Sequence, residues 1–327
     1  MSFKTIEPGK PVRIAFLGCG FAAKLHSKTL GRMPKVERYY ASRSPDKAAA
    51  FCEKYKGKGH FGSYEAALES PDIDVVMVLT PPVSHLKLTL AAIQAGKHVI
   101  VEKPPFLHST DFDTVKEEQL KHRVQVIVAE NYFYKPSLAR LRELLGSGLI
   151  GEVKFIYLNA TKLQKTNNWR DDELVSGGGA LFEGGIHWVN FLSNMGFLIQ
   201  TVQGFQPGEL TGMDRSIQVV AKFAEGAVGT LMYSWEVNAL LKGVRISKAF
   251  GTRGSITFES NGVFIFVRGK KWKLIFPGLY DLAGYRAMFT DFIKALHEGH
   301  EPAFNFGLAK RDLQLIEIIQ KDMADDL

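Results

Sequence analysis

A β-favouring apolar run, Val12-Arg13-Ile14-Ala15-Phe16-Leu17, stops at Gly18-Cys19-Gly20-Phe21-Ala22-Ala23, and helix-compatible residues follow to Leu30. Strand, glycine turn and helix in that order are the setting in which G-x-G-x-x-G/A reads as a dinucleotide site. Gly18 permits the tight turn, Gly20 lets backbone N–H groups approach a pyrophosphate, and Ala23 is small enough for close helix–strand packing. Phe21 and Ala22 fall in the first helical turn, whose dipole presents about half a positive charge to a phosphate. A lone glycine pair also marks any tight turn, so support must come from further along the chain.

A second strand, Val36 to Ser42, follows. Folds that prefer NAD carry Asp or Glu at this strand end, about 20 residues beyond the glycines, to hold the ribose 2′-hydroxyl. This chain reads Ala41-Ser42-Arg43-Ser44-Pro45 there. A guanidinium and a hydroxyl suit a 2′-phosphate. The sequence therefore favours NADP, with NAD left open. Asp46 is the competing carboxylate, but it follows Pro45 and reads as the first turn of the next helix.

Strands and helices then alternate. A helix runs from Pro45 through Lys54, and a short one covers 63–69. Asp74 to Leu79 is a strand ending at Thr80-Pro81-Pro82. Ser84 to Ala95 is a helix closed by Gly96, and His98 to Val101 a strand ending at Glu102-Lys103-Pro104-Pro105. Asp111 to Lys121 is a helix and Val124 to Ala129 a strand. This alternation predicts a parallel sheet, in which ligands lie beyond the carboxyl ends of the strands. The glycine turn, Ser42-Arg43, Thr80-Pro81 and Glu102-Lys103 all fall on that edge.

The chain resembles the glucose–fructose oxidoreductase / inositol dehydrogenase (Gfo/Idh/MocA) family over almost its whole length. The residues that carry the likeness are the glycine turn, Thr80-Pro81 with His85 beyond, and Ala95-Gly96-Lys97-His98-Val99-Ile100-Val101-Glu102-Lys103-Pro104. Asn131 to Pro136, Trp169-Arg170 and Gly177-Gly178-Gly179-Ala180-Leu181-Phe182-Glu183-Gly184-Gly185-Ile186-His187 continue it. The likeness implies hydride transfer between a nicotinamide cofactor and a hydroxyl or carbonyl of a sugar, polyol or related molecule. It implies catalytic roles for Lys103 and His187, with Glu183 where the family usually has Asp. Cofactor contacts are expected from the glycine turn, Ser42, Arg43, Thr80, Pro81, His85, Glu102 and Lys103, and from Asn131, Trp169 and Arg170. A cis Lys103–Pro104 bond is a further family expectation. Two other positions depart from the family pattern: Phe133 stands where many relatives have Arg, and Pro82 where Asn is frequent. These departures bear on the substrate more than on the reaction class.

The residue chemistry points the same way. Reducing a ketone needs a hydride at carbon and a proton at oxygen. Lys103 can donate that proton or polarise the carbonyl, and His187 titrates in the useful range. Glu183 and His187 are i and i+4, so a helix would let the carboxylate orient the imidazole.

From Gly151 the pattern changes. Pro136 to Leu145 reads as a linking helix, and residues 153–158 alternate at strand period. A helix is expected from about Ala180 to Asn194. Strands follow at Val202–Phe205, Ser216–Phe223, Ala227–Glu236, Val244–Phe250, Ser255–Glu259, Gly262–Val267 and Trp272–Phe276, joined by short glycine turns that suggest hairpins. Two helices, Asp281 to His297 and Leu308 to Lys321, close the chain. The expected architecture is an α/β Rossmann domain over residues 1–130, then an α+β domain over 131–327. The second domain is built on a large, open, mostly antiparallel sheet, and the C-terminal helix can pack back on the first. The site is expected where the halves meet. A second copy of the chain is expected on the sheet's free face, giving a homodimer or homotetramer.

Other classes find little support. The net charge is +7 over 327 residues. The lysines of Lys54, Lys56 and Lys58, and of Lys270, Lys271 and Lys273, form no long basic tract, so nucleic acid is not an expected partner. Cys19 and Cys52 are the only cysteines. No signal-peptide core or membrane-length apolar run is visible, so a cytoplasmic protein is expected. His297 and His300 lie among acidic residues but do not call for a metal. Two rivals share the fold: an enzyme with tightly held nucleotide that cleaves glycosidic bonds by transient oxidation, and a sensor or repressor without catalysis.

Overall fold

Strand β1 (Val12–Leu17) needs apolar neighbours on both faces, because all but Arg13 of its side chains are buried. A central position in a parallel sheet meets that need. The computed structural model describes residues 3–166, 169–208, 212–238 and 243–325. The chain divides into two compact units, Met1–Glu130 with Tyr285–Lys310, and Asn131–Gly284 with Arg311–Leu327.

In the first unit β1 leads to α1 (Phe21–Leu30), β2 (Val36–Ala41), α2 (Pro45–Tyr55), β3 (Gly59–Phe61) and α3 (Tyr64–Glu69). Then come β4 (Val75–Val78), α4 (His85–Gln94), β5 (His98–Glu102), α5 (Asp111–His122) and β6 (Val126–Ala129). The sheet order is β3-β2-β1-β4-β5-β6, and every pairing is parallel. The short β3 has no periodic apolar run, so residue pattern alone gave no sign of it. The residue before α2, Ser44, is extended and Pro45 opens the helix, where its missing N–H costs nothing. Arg13 grips Asp74 through Nε (2.9 Å) and a terminal nitrogen (2.6 Å), which fixes the entry of β1 against that of β4.

The second unit contains α6 (Pro136–Gly146), β7 (Val153–Thr161), α7 (Glu173–Ser176), a π-helical turn Leu181–Gly185 and α8 (Ile186–Ser193). Seven strands follow: β8 (Ile199–Phe205), β9 (Ser216–Phe223), β10 (Val228–Ser234), β11 (Ile246–Gly251), β12 (Gly254–Glu259), β13 (Ile265–Arg268) and β14 (Trp272–Ile275). They form one sheet with β7, ordered β14-β13-β12-β11-β7-β10-β9-β8. All its pairings are antiparallel except β7 with β10. A register shift beside Phe250 and Gly251 breaks the strict alternation of β7. Val153 and Ile156 are therefore both buried, while Phe155 is 60% exposed.

Two helices complete the chain, α9 (Tyr285–Glu298) and α10 (Phe306–Asp325). In the first unit, α9 buries Met288, Phe289, Phe292 and Leu296, the stripe expected from its 3.6-residue period. In the second, Asp312 of α10 accepts hydrogen bonds from Asn190 (2.6 Å) and Ser193 (2.9 Å) of α8.

His98, buried at the start of β5, accepts a hydrogen bond on Nδ1 from the Gln125 N–H at 3.1 Å, so its ring is neutral. Burial and then the Lys4 ammonium push it down to about 4, against a smaller pull upward from Asp74. An unfolded His protonates near 6.5. The folded state then binds fewer protons below that pH, so stability is full above about pH 6.5 and falls as pH drops toward 4, by about 3 kcal/mol. His98→Asn keeps an acceptor and removes the titration. Denaturant midpoints between pH 7 and 4 are expected to fall less steeply for this variant than for the parent.

Candidate active site

In the first unit the carboxyl ends of β1, β2, β4 and β5 carry most of the residues singled out from sequence. Gly18 follows β1 with φ +114°, and a Cβ there would sit 2.9 Å from the Leu79 carbonyl oxygen. Glycine is required because the turn presses on the end of β4. Gly20 is the N-cap of α1. It supplies no side-chain cap, and no acidic residue stands in the first turn. A Cβ on Gly20 would meet nothing within 4 Å, so the space before the helix is open. The first-turn N–H groups have no acceptor within the helix. With Ala23 fully buried beneath and Phe21 exposed, this cradle fits an anionic pyrophosphate.

After β2, Ser42 is buried, and its hydroxyl accepts the Ser44 N–H at 3.2 Å. Arg43 is exposed beside it, and Asp46 lies in the first turn of α2. After β4, the Thr80 hydroxyl accepts a 2.6 Å hydrogen bond from Ser84, which also donates to the Pro81 carbonyl. His85 opens α4 with its ring inside the unit. Its Nδ1 lies 2.9 Å from the Pro104 carbonyl oxygen and its Nε2 lies 2.7 Å from that of Thr80. Burial pushes this imidazole down, against an upward pull from the two carbonyls and Glu102. After β5, Glu102 meets His26 of α1 at 2.5 Å, the Lys103 N–H donates to the other carboxylate oxygen at 2.9 Å, and Lys103–Pro104 is cis.

The second unit gathers a different set. Asn131 is buried and donates to the Ala283 carbonyl at 2.6 Å. Gly284 has φ +78°, and a Cβ there would lie 2.5 Å from the Asn131 carbonyl oxygen. The Tyr132 ring stacks on His187 at 4.3 Å and 13°, and meets Trp188 edge-on at 5.2 Å. The ammonium of Lys135, a buried lysine, lies 4.5 Å from the same ring centre. Glu183 is buried and accepts a 2.8 Å hydrogen bond from Arg170 Nε, while the Arg170 guanidinium covers Trp169 at 4.5 Å. The structure thus joins Glu183 to Arg170 and His187 to Tyr132.

The expected α-helix over 180–194 begins instead as the π-helical turn. A π turn bonds residue i to i+5, so Glu183 and His187, four residues apart, remain within about one turn of each other. Gly184 within this turn is closely packed. A Cβ on Gly184 would lie 2.2 Å from the Tyr233 hydroxyl, which accepts a 2.7 Å hydrogen bond from Trp235 Nε1–H. Burial, then the Glu183 carboxylate, push the Tyr233 hydroxyl well above its ordinary value, so it stays protonated. Asp214 pins the turn's entry: its carboxylate accepts the Leu181 N–H at 2.7 Å, and its carbonyl the Ala180 N–H at 2.8 Å. Burial raises the Asp214 carboxyl from its usual value. Tyr132, Lys135, Asp214 and Tyr233 were not singled out by their pattern. Tyr132 and Lys135 lie in the Asn131–Pro136 run, which was the available signal.

Residues 12–130 match the family described as "Oxidoreductase family, NAD-binding Rossmann fold", and residues 138–257 match the GFO/IDH/MocA C-terminal domain. The dTDP-3,4-didehydro-2,6-dideoxy-alpha-D-glucose 3-reductase of Saccharopolyspora spinosa is 33% identical over 69% of this chain and 69% of its own. The chain belongs to the Gfo/Idh/MocA oxidoreductase family. Residues 12–130 are the family's NAD-binding Rossmann domain, and the chain is a dehydrogenase or reductase. Levoglucosan dehydrogenase of Pseudarthrobacter phenanthrenivorans is 24% identical over 94% of this chain and 87% of its own. A solved levoglucosan dehydrogenase, in complex with NADH and levoglucosan, superposes with a TM-score of 0.85 at 21% identity, covering 97% of this chain and 98% of that one. That likeness shows a shared fold.

Gly184→Ala is expected to cost about 1–3 kcal/mol, because the methyl group must displace a buried hydroxyl. Tyr233→Phe alone leaves the Trp235 N–H without its acceptor. The double variant is expected to lose less stability than the two single losses combined, as groups in contact should. Urea unfolding of the four proteins measures the difference, and strict additivity would contradict a close contact between positions 184 and 233.

Proposed function

We propose that this chain is an NADP(H)-dependent oxidoreductase acting on a hydroxyl or carbonyl group of a sugar, polyol or related small molecule. The observation that carries the reading is the carboxyl edge of the first sheet. An uncapped helix N-terminus, an exposed Arg43 with no carboxylate at the end of β2, and Lys103 at the end of β5 all lie on it. The backbone of Gly18–Ala23 would hold the pyrophosphate, and Ser42 with Arg43 a 2′-phosphate. The carbohydrate reading draws on relatives named for levoglucosan and for a dTDP-linked deoxy sugar.

The nucleotide supplies or accepts the hydride. The chain's own groups handle the proton. Lys103 carries it to or from the substrate oxygen, and His187, held flat on Tyr132, shares that transfer. Glu183, which also accepts from Arg170, is the carboxylate that positions His187. Lys103→Ala is expected to retain NADPH binding and to lose turnover by about 10²–10⁴-fold on any substrate found in a sugar and polyol panel. Arg43→Ala is expected to weaken NADPH binding by about 10–100-fold, the worth of a charge-assisted hydrogen bond, with little change for NADH. Nicotinamide fluorescence titrations measure both. Unchanged turnover in the first variant, or equal losses for the two nucleotides in the second, would contradict the assignments.

The free face of the second sheet bears Phe155 opposite Phe250, with Tyr157 and Met232 beside them. We infer that a second copy of the chain covers this patch, since exposed aromatic clusters of this kind mark association sites. Sedimentation is expected to find an oligomer for the parent and a smaller species for Phe155→Glu.

A further inference from the structure

The turn that presents Lys103 is poor in backbone donors. Pro104 and Pro105 have no N–H, so directly beyond the end of β5 the backbone offers the Lys103 N–H and then two residues without a donor. Side chains from two helices take the place of a hydrogen-bonded ladder. His26 of α1 is almost fully buried, and its Nε2 lies 2.5 Å from one oxygen of the Glu102 carboxylate. The other oxygen of that carboxylate accepts the Lys103 N–H at 2.9 Å. Past the lysine, the Pro104 carbonyl is met by His85 Nδ1 at 2.9 Å, while His85 Nε2 reaches the Thr80 carbonyl at the end of β4.

We propose that His26 and His85 are positioning residues for Lys103, bracing the Glu102–Lys103–Pro104 turn from either side. This rests on the reading of Lys103 as the proton-transfer group. Neither ring needs to touch substrate or nucleotide. His26 acts through Glu102, and His85 through the Pro104 carbonyl.

The geometry favours this role over simple packing. His26 is wedged edge-on against Tyr285 (5.6 Å) and Phe289 (5.2 Å), an environment that a phenyl ring would fill equally well. Its Nδ1 is buried without a hydrogen-bond partner. Burying an imidazole there therefore carries a cost that Phe would avoid, and the Nε2 contact to Glu102 is what the chain gains in return. His85 lies between the carbonyls of Pro104 and Thr80, at the ends of two neighbouring strands, and the single N–H of its neutral ring is available to the Pro104 carbonyl through Nδ1.

Two substitutions at position 26 separate the roles. His26→Phe keeps the ring and removes the donor. His26→Gln removes the ring and keeps an amide N–H near the Nε2 position. If positioning is the role, His26→Phe loses kcat by about 100-fold, the loss expected for a reacting group misplaced by about 1 Å. The Kd for NADPH and the KM for substrate stay near parental values, and His26→Gln recovers most of the kcat. If packing is the role, the order reverses. At position 85, His85→Gln supplies two amide donors and is expected to outperform His85→Leu in the same way.

A second readout needs no substrate. Amide hydrogen exchange at Lys103, followed by NMR or mass spectrometry, is expected to speed up more than tenfold in His26→Phe and to stay slow in His26→Gln, with Val99–Val101 unchanged in both. Parental exchange at Lys103 in His26→Phe would overturn the brace. Accelerated exchange with parental kcat would overturn the positioning role. Lys103→Ala run alongside tells that second outcome from failure of the lysine assignment, because only in the latter case does it also turn over normally.

Discussion

The contact between the Gly18 turn and the end of β4 sets the rest of the first unit. A side chain at Gly18 would run into the Leu79 carbonyl, so the chain can leave β1 this closely only without a Cβ. That close exit lets α1 start directly over the sheet edge with its first N–H groups uncapped. The same helix, less than two turns on, delivers His26 to Glu102. One glycine thus places an anion cradle and, through α1, a support for the lysine turn.

Much of this was legible in the sequence, for physical reasons that differ by element. The apolar runs of β1, β4, β5 and β6 are short and bounded by turn residues, which suits strands buried on both faces. The chain-order alternation with helices then fixed a parallel sheet and put Ser42-Arg43, Thr80-Pro81 and Glu102-Lys103 on one edge. The strand β3 was hidden because Gly59-His60-Phe61 is too short for a pattern and takes its place from pairing with β2. In the second unit the hairpin turns announced the sheet, but the parallel neighbours β7 and β10 are far apart in sequence, and no local signal reports such a pairing.

The site was legible in its residue types and less so in its contacts. Glu183 and His187 stand in a run of glycines whose spacing suggested a plain helix. Tyr233, from a strand some fifty residues later, packs into the space left by Gly184 and accompanies a wider turn. Arg170 joins Glu183 from a short 3₁₀ turn, Trp169–Asp171, that no periodicity announces. His85 carried a resemblance-based expectation of cofactor contact, and spacing gave no sign that its ring lies against two backbone carbonyls. In each case the missing information is a long-range approach of side chains, which residue spacing does not encode.

The central claim is that the carboxyl edge of the first sheet is a nucleotide site. Hydrogen–deuterium exchange of the intact protein, with and without saturating NADPH, tests it most directly. The account predicts slowed exchange in peptides spanning Gly18–Ala23 and Ser42–Arg43, with the helices on the far side of the sheet unaffected. Protection absent from the Gly18–Ala23 turn, or appearing only elsewhere in the chain, would contradict it.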